Sequence, residues 1–368
     1  MIKRKFNFSP GPAVLPLEVL EAVRENILSY QGTGIGVMEM SHRSPEFEAI
    51  ISEAEALFRL LLDVNNDYSV IFTTGGATNQ FSMVPLNLLR KGQVADYLIT
   101  GLWAEKAFAE AKKFGEVHIA ASSKDSNYSY IPKELKLSSE PAYLHFTSNN
   151  TIYGTQFHSE PGVGEPGVGK PGAGGCPLIC DASSDFLSKP IDITRYALVY
   201  AGAQKNFGPA GVTVVVIRKD LLLRIPPGLP IMLDYNTYVK ERSLYNTPPT
   251  FPIYVVVEVL KWIKGQGGLT GIQRHNQEKA ALIYAAIDRS DCYVPVAEEK
   301  SRSLMNITFR LKDSSLEQEF LKKASEHDLV ELKGHRSVGG MRASIYNAFP
   351  IEGARTLAGF MDEFARKH

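Results

Sequence analysis

Lys205 stands where a charge is unusual. It follows the apolar run Ala197–Ala203 and precedes a second, Val212–Ile217, with Gln204, Asn206, Phe207 and the small residues Gly208-Pro209-Ala210-Gly211 between them. Both runs read as buried strands. An amine at the end of a buried strand, fenced by small residues, is partly stripped of water and suited to nucleophilic work. The plainer alternative is a polar residue in a hairpin loop. Asp181 closes the run Pro177–Cys180 in the same way, as a strand-end carboxylate or as a helix N-cap. A strand over Tyr68–Phe72 runs into Thr73-Thr74-Gly75-Gly76-Ala77-Thr78, with a helix expected from about Asn79. That order aims backbone N–H groups at a phosphate. The Walker lysine and the dinucleotide fingerprint are both missing, so a phosphate site is favoured over a nucleotide site. Trp103 sits where a strand over Val94–Thr100 hands over to a helix over Trp103–Phe114, either as core or as a flat face for a ring.

Cations gather twice. His42-Arg43 lies in a loop before a helix over Glu46–Leu62, whose Ser44-Pro45-Glu46 start matches N-capping chemistry. Lys333-Gly334-His335-Arg336 and Arg342 concentrate around glycines near the C-terminus. The chain has 40 basic and 40 acidic residues. In such a neutral chain, two His-Arg pairs plus Arg342 suit a substrate with more than one anionic group, against the alternative of two unrelated basic turns.

The elements that must position these groups alternate. Strands at Val117–Ala121 and Ala142–Thr147 continue the pattern, the second ending in Ser148-Asn149-Asn150-Thr151. Alternation of this kind makes an α/β fold, in which ligands bind outside the carboxyl ends of the strands. Phe6–Pro12, broken by Pro and Gly, cannot be helix and reads as an ordered arm or lid. Gly265-Gln266-Gly267-Gly268 marks a boundary, giving an arm (1–15), a large domain (16–265) and a small C-terminal α/β domain (266–368). The Pro/Gly-rich stretch 161–175 reads as a surface loop. The balanced charge argues against nucleic acid or an anionic membrane as partner. Three cysteines, no signal peptide and no run of transmembrane length predict a cytoplasmic protein. Cys176 and Cys180 lack a second ligand pair, so no metal is expected.

Pyridoxal 5′-phosphate makes four demands, and each has a candidate: Lys205 for the covalent link, Asp181 for the ring nitrogen, Gly76-Ala77-Thr78 for the phosphate and Trp103 for stacking. At these residues a resemblance emerges. Phe6–Pro12, Val37-Met38-Glu39-Met40-Ser41-His42-Arg43, Gly75–Phe81 and Tyr200-Ala201-Gly202-Ala203-Gln204-Lys205-Asn206 together resemble the phosphoserine aminotransferase family, within the class V, fold-type I pyridoxal-phosphate enzymes. The resemblance spans the whole chain. It implies a large domain with a mostly parallel seven-stranded sheet and a homodimer with shared active sites. It implies amino transfer from phosphoserine to 2-oxoglutarate, giving 3-phosphohydroxypyruvate and glutamate, in serine biosynthesis. Whether 4-phosphohydroxythreonine, in pyridoxine biosynthesis, is a further substrate is left open.

Carried over by motif, the resemblance assigns Thr151 to the cofactor's phenolic oxygen. Gln204 would join Gly76, Ala77 and Thr78 at the phosphate, with Asn246 and Thr247 from the other subunit. Arg342 would clamp the α-carboxylate. His42 and Arg43, from the partner, would join His335 and Arg336 on the distal anionic group. Some members carry arginine where this chain has Thr78, and the 161–175 insert is outside the family pattern. Three rivals stand beside this reading. A cysteine desulfurase would need a reactive cysteine, and Cys292 has no cationic neighbours in sequence. A glyoxylate-type aminotransferase would not need two His-Arg pairs. A non-catalytic phosphate binder would leave Lys205 and Asp181 without a purpose.

Overall fold

The computed structural model describes residues 4–162 and 175–368. The chain opens with a two-residue strand, β1 (Phe6–Asn7), followed by α1 (Leu17–Asn26) and α2 (Pro45–Leu62). Seven strands then build the main sheet: β2 (Tyr68–Thr73), β3 (Val94–Ile99), β4 (Glu116–Ser122), β5 (Leu144–Thr147), β6 (Leu178–Asp181), β7 (Leu198–Gly202) and β8 (Thr213–Arg218). Helix α3 (Gly76–Leu88) follows β2 and α4 (Leu102–Ala111) follows β3. After β8 come α5 (Lys219–Leu222), α6 (Tyr235–Lys240), α7 (Thr250–Gly265) and α8 (Gly268–Asp288). The C-terminal part adds β9 (Tyr293–Pro295), β10 (Asn306–Leu311), α9 (Glu317–Glu326), β11 (Leu329–Val330), β12 (Met341–Ser344) and α10 (Ile351–Lys367).

The main sheet runs in the order β2-β8-β7-β6-β5-β3-β4. Only β8 is antiparallel to its neighbours, so the sheet is mostly parallel, as the resemblance implied. Its central strands are buried along their whole length, because helices cover both faces. One face packs on α2 and α7 around Phe58, Phe186 and Phe207, whose rings lie 5.6–6.1 Å apart. Each fully buried ring contributes roughly 1.5–3 kcal/mol. The other face packs Ile179, Leu198, Tyr200 and Val215 beneath α3, α4 and α6. Helix α2 starts as its residues predict, with Pro45 in the first turn and Ser44 Oγ accepting the Phe47 amide at 3.3 Å.

Two departures from the sequence reading are physical. Helix α3 begins at Gly76, three residues before the expected start, because Gly75 takes φ 86° and turns the chain directly into the helix. Of the two readings of Phe6–Pro12, the ordered arm is the one observed: β1 pairs in parallel with β11, and Phe8 is fully buried in the C-terminal core, 4.5 Å from the Phe349 ring. β9 was not expected, since three residues ending in Pro295 are too short to show an alternating pattern. In the C-terminal part, β12-β10-β9 form an antiparallel sheet. Most of the 161–175 insert lies outside the described residues. No helix among the described residues is long and apolar enough to cross a membrane.

Candidate active site

The strand ends that carry the predicted chemistry share one rim. Because β8 runs against both β2 and β7, the strands β2, β3, β5, β6 and β7 all point the same way. Their carboxyl ends therefore present Gly75-Gly76-Ala77, Gly101-Leu102-Trp103, Asn149-Asn150-Thr151, Asp181 and Gln204-Lys205 along one edge. Alternation then selects the face. Asp181 stands two residues beyond Ile179, so its side chain points to the side covered by α3 and α4.

Lys205 Nζ donates to the Pro10 carbonyl at 2.9 Å and lies 3.5 Å from both Thr151 Oγ1 and the Tyr346 hydroxyl. Asp181 is 3 % exposed, and its Oδ1 accepts the Ser183 amide at 3.0 Å. Burial pushes its carboxyl up to about 6, against the pull of Ser183 and of the Lys205 charge. Arg342, on β12, is buried, and its Nη1 donates to the Thr151 carbonyl at 3.3 Å. Its Nε has no partner, and burial pulls its pKa down. A buried guanidinium so poorly matched is costly unless an anion comes to it.

The remaining groups are built around these. Helix α3 has no side-chain cap, which leaves the amides of Gly76, Ala77 and Thr78 free at its positive end. Gly202 makes room for Gln204: a Cβ there would lie 2.6 Å from Gln204 Oε1. Asn150 Nδ2 donates to the Thr100 carbonyl, tying the Thr151 loop to the β3–α4 junction that carries Trp103. The half-buried Trp103 ring packs on the core beneath α3 and α4, with Lys106 Nζ 4.5 Å from its centroid. His335 opens the turn after β11, where its Nδ1 meets Ser337 Oγ at 2.7 Å. Burial pushes the His335 pKa down, and the charges of Arg342, Arg336 and Lys106 push it further. These cations thus face one another.

His42 Nδ1 lies 3.1 Å from Thr247 Oγ1, with Arg43 and Asn246 exposed beside them. No described hydrogen bond joins any of these four to Lys205, Asp181 or Arg342 in the same chain. Sequence reasoning missed Pro10, Tyr346, Asn306 and Lys106. Tyr346 looked like the end of an apolar strand, and the Pro10 contact is a backbone carbonyl with no signature. The three-residue spacing of Trp103 and Lys106 on one helix face was a usable signal.

The family model for class-V aminotransferases matches residues 5–357. The chain is 53% identical to the phosphoserine aminotransferase of Niallia circulans over 100% of this chain and 99% of that protein. The structure of phosphoserine aminotransferase from Bacillus circulans subsp. alkalophilus superposes with a TM-score of 0.94 at 53% identity, covering 99% of each chain. The structure of PLP-bound phosphoserine aminotransferase from Trichomonas vaginalis does so with a TM-score of 0.90 at 39% identity, covering 98% of this chain and 100% of that one. With the rim geometry and full-length similarity together, the chain belongs to the class-V aminotransferases, in the phosphoserine aminotransferase family.

Proposed function

We propose that this protein moves an amino group reversibly between O-phospho-L-serine with 2-oxoglutarate and 3-phosphohydroxypyruvate with L-glutamate, serving serine biosynthesis, with pyridoxal 5′-phosphate as cofactor. The observation that carries the reading is Thr151 within hydrogen-bond reach of Lys205 through its hydroxyl and of Arg342 through its carbonyl, on the rim that also holds the buried Asp181.

The residues fit the cofactor. Asp181 is a buried carboxylate with raised proton affinity, the complement of a protonated ring nitrogen. The free amides of Gly76, Ala77 and Thr78, with Gln204, suit a phosphate. Trp103 offers a ring face, and the Thr151 hydroxyl beside Lys205 suits the phenolic oxygen. When bound, the cofactor supplies an electron sink for the substrate α-carbon and carries the amino group between half-reactions. Lys205 Nζ is the base that takes the α-proton from that carbon, held in reach by Pro10 and Thr151. Arg342 receives the α-carboxylate, and the unpaired Nε is the donor left for it. His335 and Arg336 receive the distal phosphate or the glutamate side-chain carboxylate. Thr78 is exposed at the helix start, so this chain relies on backbone amides where some members add an arginine.

The homodimer follows as part of the proposal. His42, Arg43, Asn246 and Thr247 would reach the partner's site, which is supported by Arg43, Asn246 and Thr247 lying exposed around the half-buried His42. The loop leading to His42 also exposes apolar Leu28 (83 %), Ile35 (51 %) and Met38 (61 %), as an interface would require. Cytoplasmic residence is supported by three cysteines with free thiols. 4-Phosphohydroxythreonine presents the same phosphate and α-amino acid groups, and we include it as a second substrate. The desulfurase reading loses its nucleophile: burial raises the Cys292 thiol pKa, and the residue packs on the C-terminal core.

Comparing phosphoserine with serine as amino donor tests the distal cations; equal turnover would overturn the roles of His335 and Arg336. Lys205→Ala should lose both the near-visible absorbance of the native protein and its bleaching by borohydride. Retention of that band with transamination would sink the assignment of Lys205.

A further inference from the structure

Tyr346 has no place in the roles above, yet it touches Lys205 and the Pro10 carbonyl that holds it. It lies just beyond β12, is 2 % exposed, and its hydroxyl donates to the Pro10 carbonyl at 2.8 Å. The same oxygen accepts from Asn306 Nδ2 at 3.1 Å. With its proton and one lone pair committed, its remaining lone pair faces Lys205 Nζ at 3.5 Å. The ring lies 5.7 Å from that nitrogen, within cation–π range. Pro10 therefore accepts from both Lys205 and Tyr346, closing a triangle that joins the arm, the C-terminal sheet and the lysine. The hydroxyl is itself held from behind. Asn306 Nδ2 also donates to Ser344 Oγ at 3.0 Å, and the buried Lys279 Nζ donates to the Tyr346 carbonyl at 2.6 Å. Such support is what fixes a side chain to a few tenths of an ångström.

We propose that Tyr346 is the positioning residue for Lys205: its hydroxyl locks the Pro10 carbonyl of the arm against the lysine nitrogen, fixing where that nitrogen sits. The inference rests on the reading of Lys205 as the reactive amine. The titratable and charged groups facing this centre are Asp181 from β6 and Arg342 from β12, whose Coulombic influence reaches Lys205 and Tyr346 respectively, and Lys279 from α8, which contacts the Tyr346 carbonyl. All three remain when the phenol oxygen is removed, so Tyr346→Phe isolates the hydroxyl.

The test uses full-length protein freed of cofactor and mixed with pyridoxal 5′-phosphate, whose aldehyde carbon the lysine amine joins with loss of water. In Tyr346→Phe, covalent uptake followed by absorbance should slow several-fold. The pH at which the resulting band titrates should fall by about half a unit or more, because an acceptor favouring the protonated nitrogen is gone. A merely structural tyrosine would lower the unfolding midpoint without moving that titration. Unchanged titration and uptake in a folded Tyr346→Phe protein would overturn the proposal. Lys205→Ala serves as the control: a covalent band there would overturn the reading of Lys205 itself. Its absence, with a native-like Tyr346→Phe, would overturn only the role of Tyr346.

Discussion

Replacing Asp181 with asparagine should stabilise the cofactor-free protein while removing its chemistry. The carboxyl is fully buried and its pKa is pushed up to about 6 by that burial. Between the ordinary aspartate value and 6 the folded state holds the proton more tightly than the unfolded chain does. Stability therefore falls as pH rises through that window, and the loss is complete above it. At about 1.4 kcal/mol per pH unit, the buried charge costs about 3 kcal/mol at pH 8. An amide left with an unpaired N–H group takes back about 1 kcal/mol. Asp181→Asn should thus be more stable by about 2 kcal/mol at pH 8, a gain shrinking to about half a kilocalorie per mole at pH 5. Urea unfolding of cofactor-free protein at the two pH values measures this directly. A gain of the same size at both, or a loss at pH 8, would refute the account of Asp181 as a charge kept at a cost to the fold. The same variant, loaded with cofactor, should lose transamination because the ring nitrogen has no carboxylate partner.

Other perturbations probe the parts around it. Gly101→Ala puts a Cβ 2.1 Å from Asn150 Nδ2, so it should destabilise by about 1–3 kcal/mol and weaken cofactor binding measured by absorbance titration; native-like values would refute the tie between the Trp103 and Thr151 segments. Lys106→Met removes one of the charges that hold the His335 pKa down, so the imidazole should titrate at higher pH by NMR; no movement would separate Lys106 from the distal cations. Mixing separately inactive Lys205→Ala and Arg43→Ala chains should restore about a quarter of native activity, since half the dimers are mixed and each carries one intact site. No recovery after subunit exchange would remove Arg43 from the partner's site.

What was legible in the sequence follows from physical range. The apolar strand runs and the small residues before Lys205 are local signals, and β5 to β8 fall within two residues of where those runs place them. The identity of Lys205 and Asp181 as strand-end groups came from the same local pattern. Contacts that close the site are not local. Pro10 and Lys205 are 195 residues apart, and Tyr346 and Lys205 are 141 apart. Tyr346 inside an apolar run carries no mark that its hydroxyl faces a lysine. β1 was invisible for a related reason: its two residues become a strand only by pairing with β11, far along the chain.

That pairing explains how the site is divided. The main sheet carries the groups assigned to the cofactor: Asp181, Thr151, Lys205 and the amides that open α3. The cations proposed for the substrate ride on the C-terminal part, with Arg342 on β12 and the His335 turn between β11 and β12. The Arg342 amide donates to the Leu332 carbonyl at 2.7 Å, which ties Arg342 to the segment that leads from β11 into the His335 turn. The arm joins the C-terminal part through β1–β11, and it brings Pro10 to Lys205 and Gly11 against the same side chain, where an added Cβ would lie 3.5 Å from Lys205 Cγ. The lysine therefore stands at the seam, bonded to both halves through Thr151 on one side and Pro10 on the other. A shift of the C-terminal part would displace Arg342, the His335 turn and the lysine's carbonyl partner together, so under the proposed roles substrate seating and placement of the base would be one structural event.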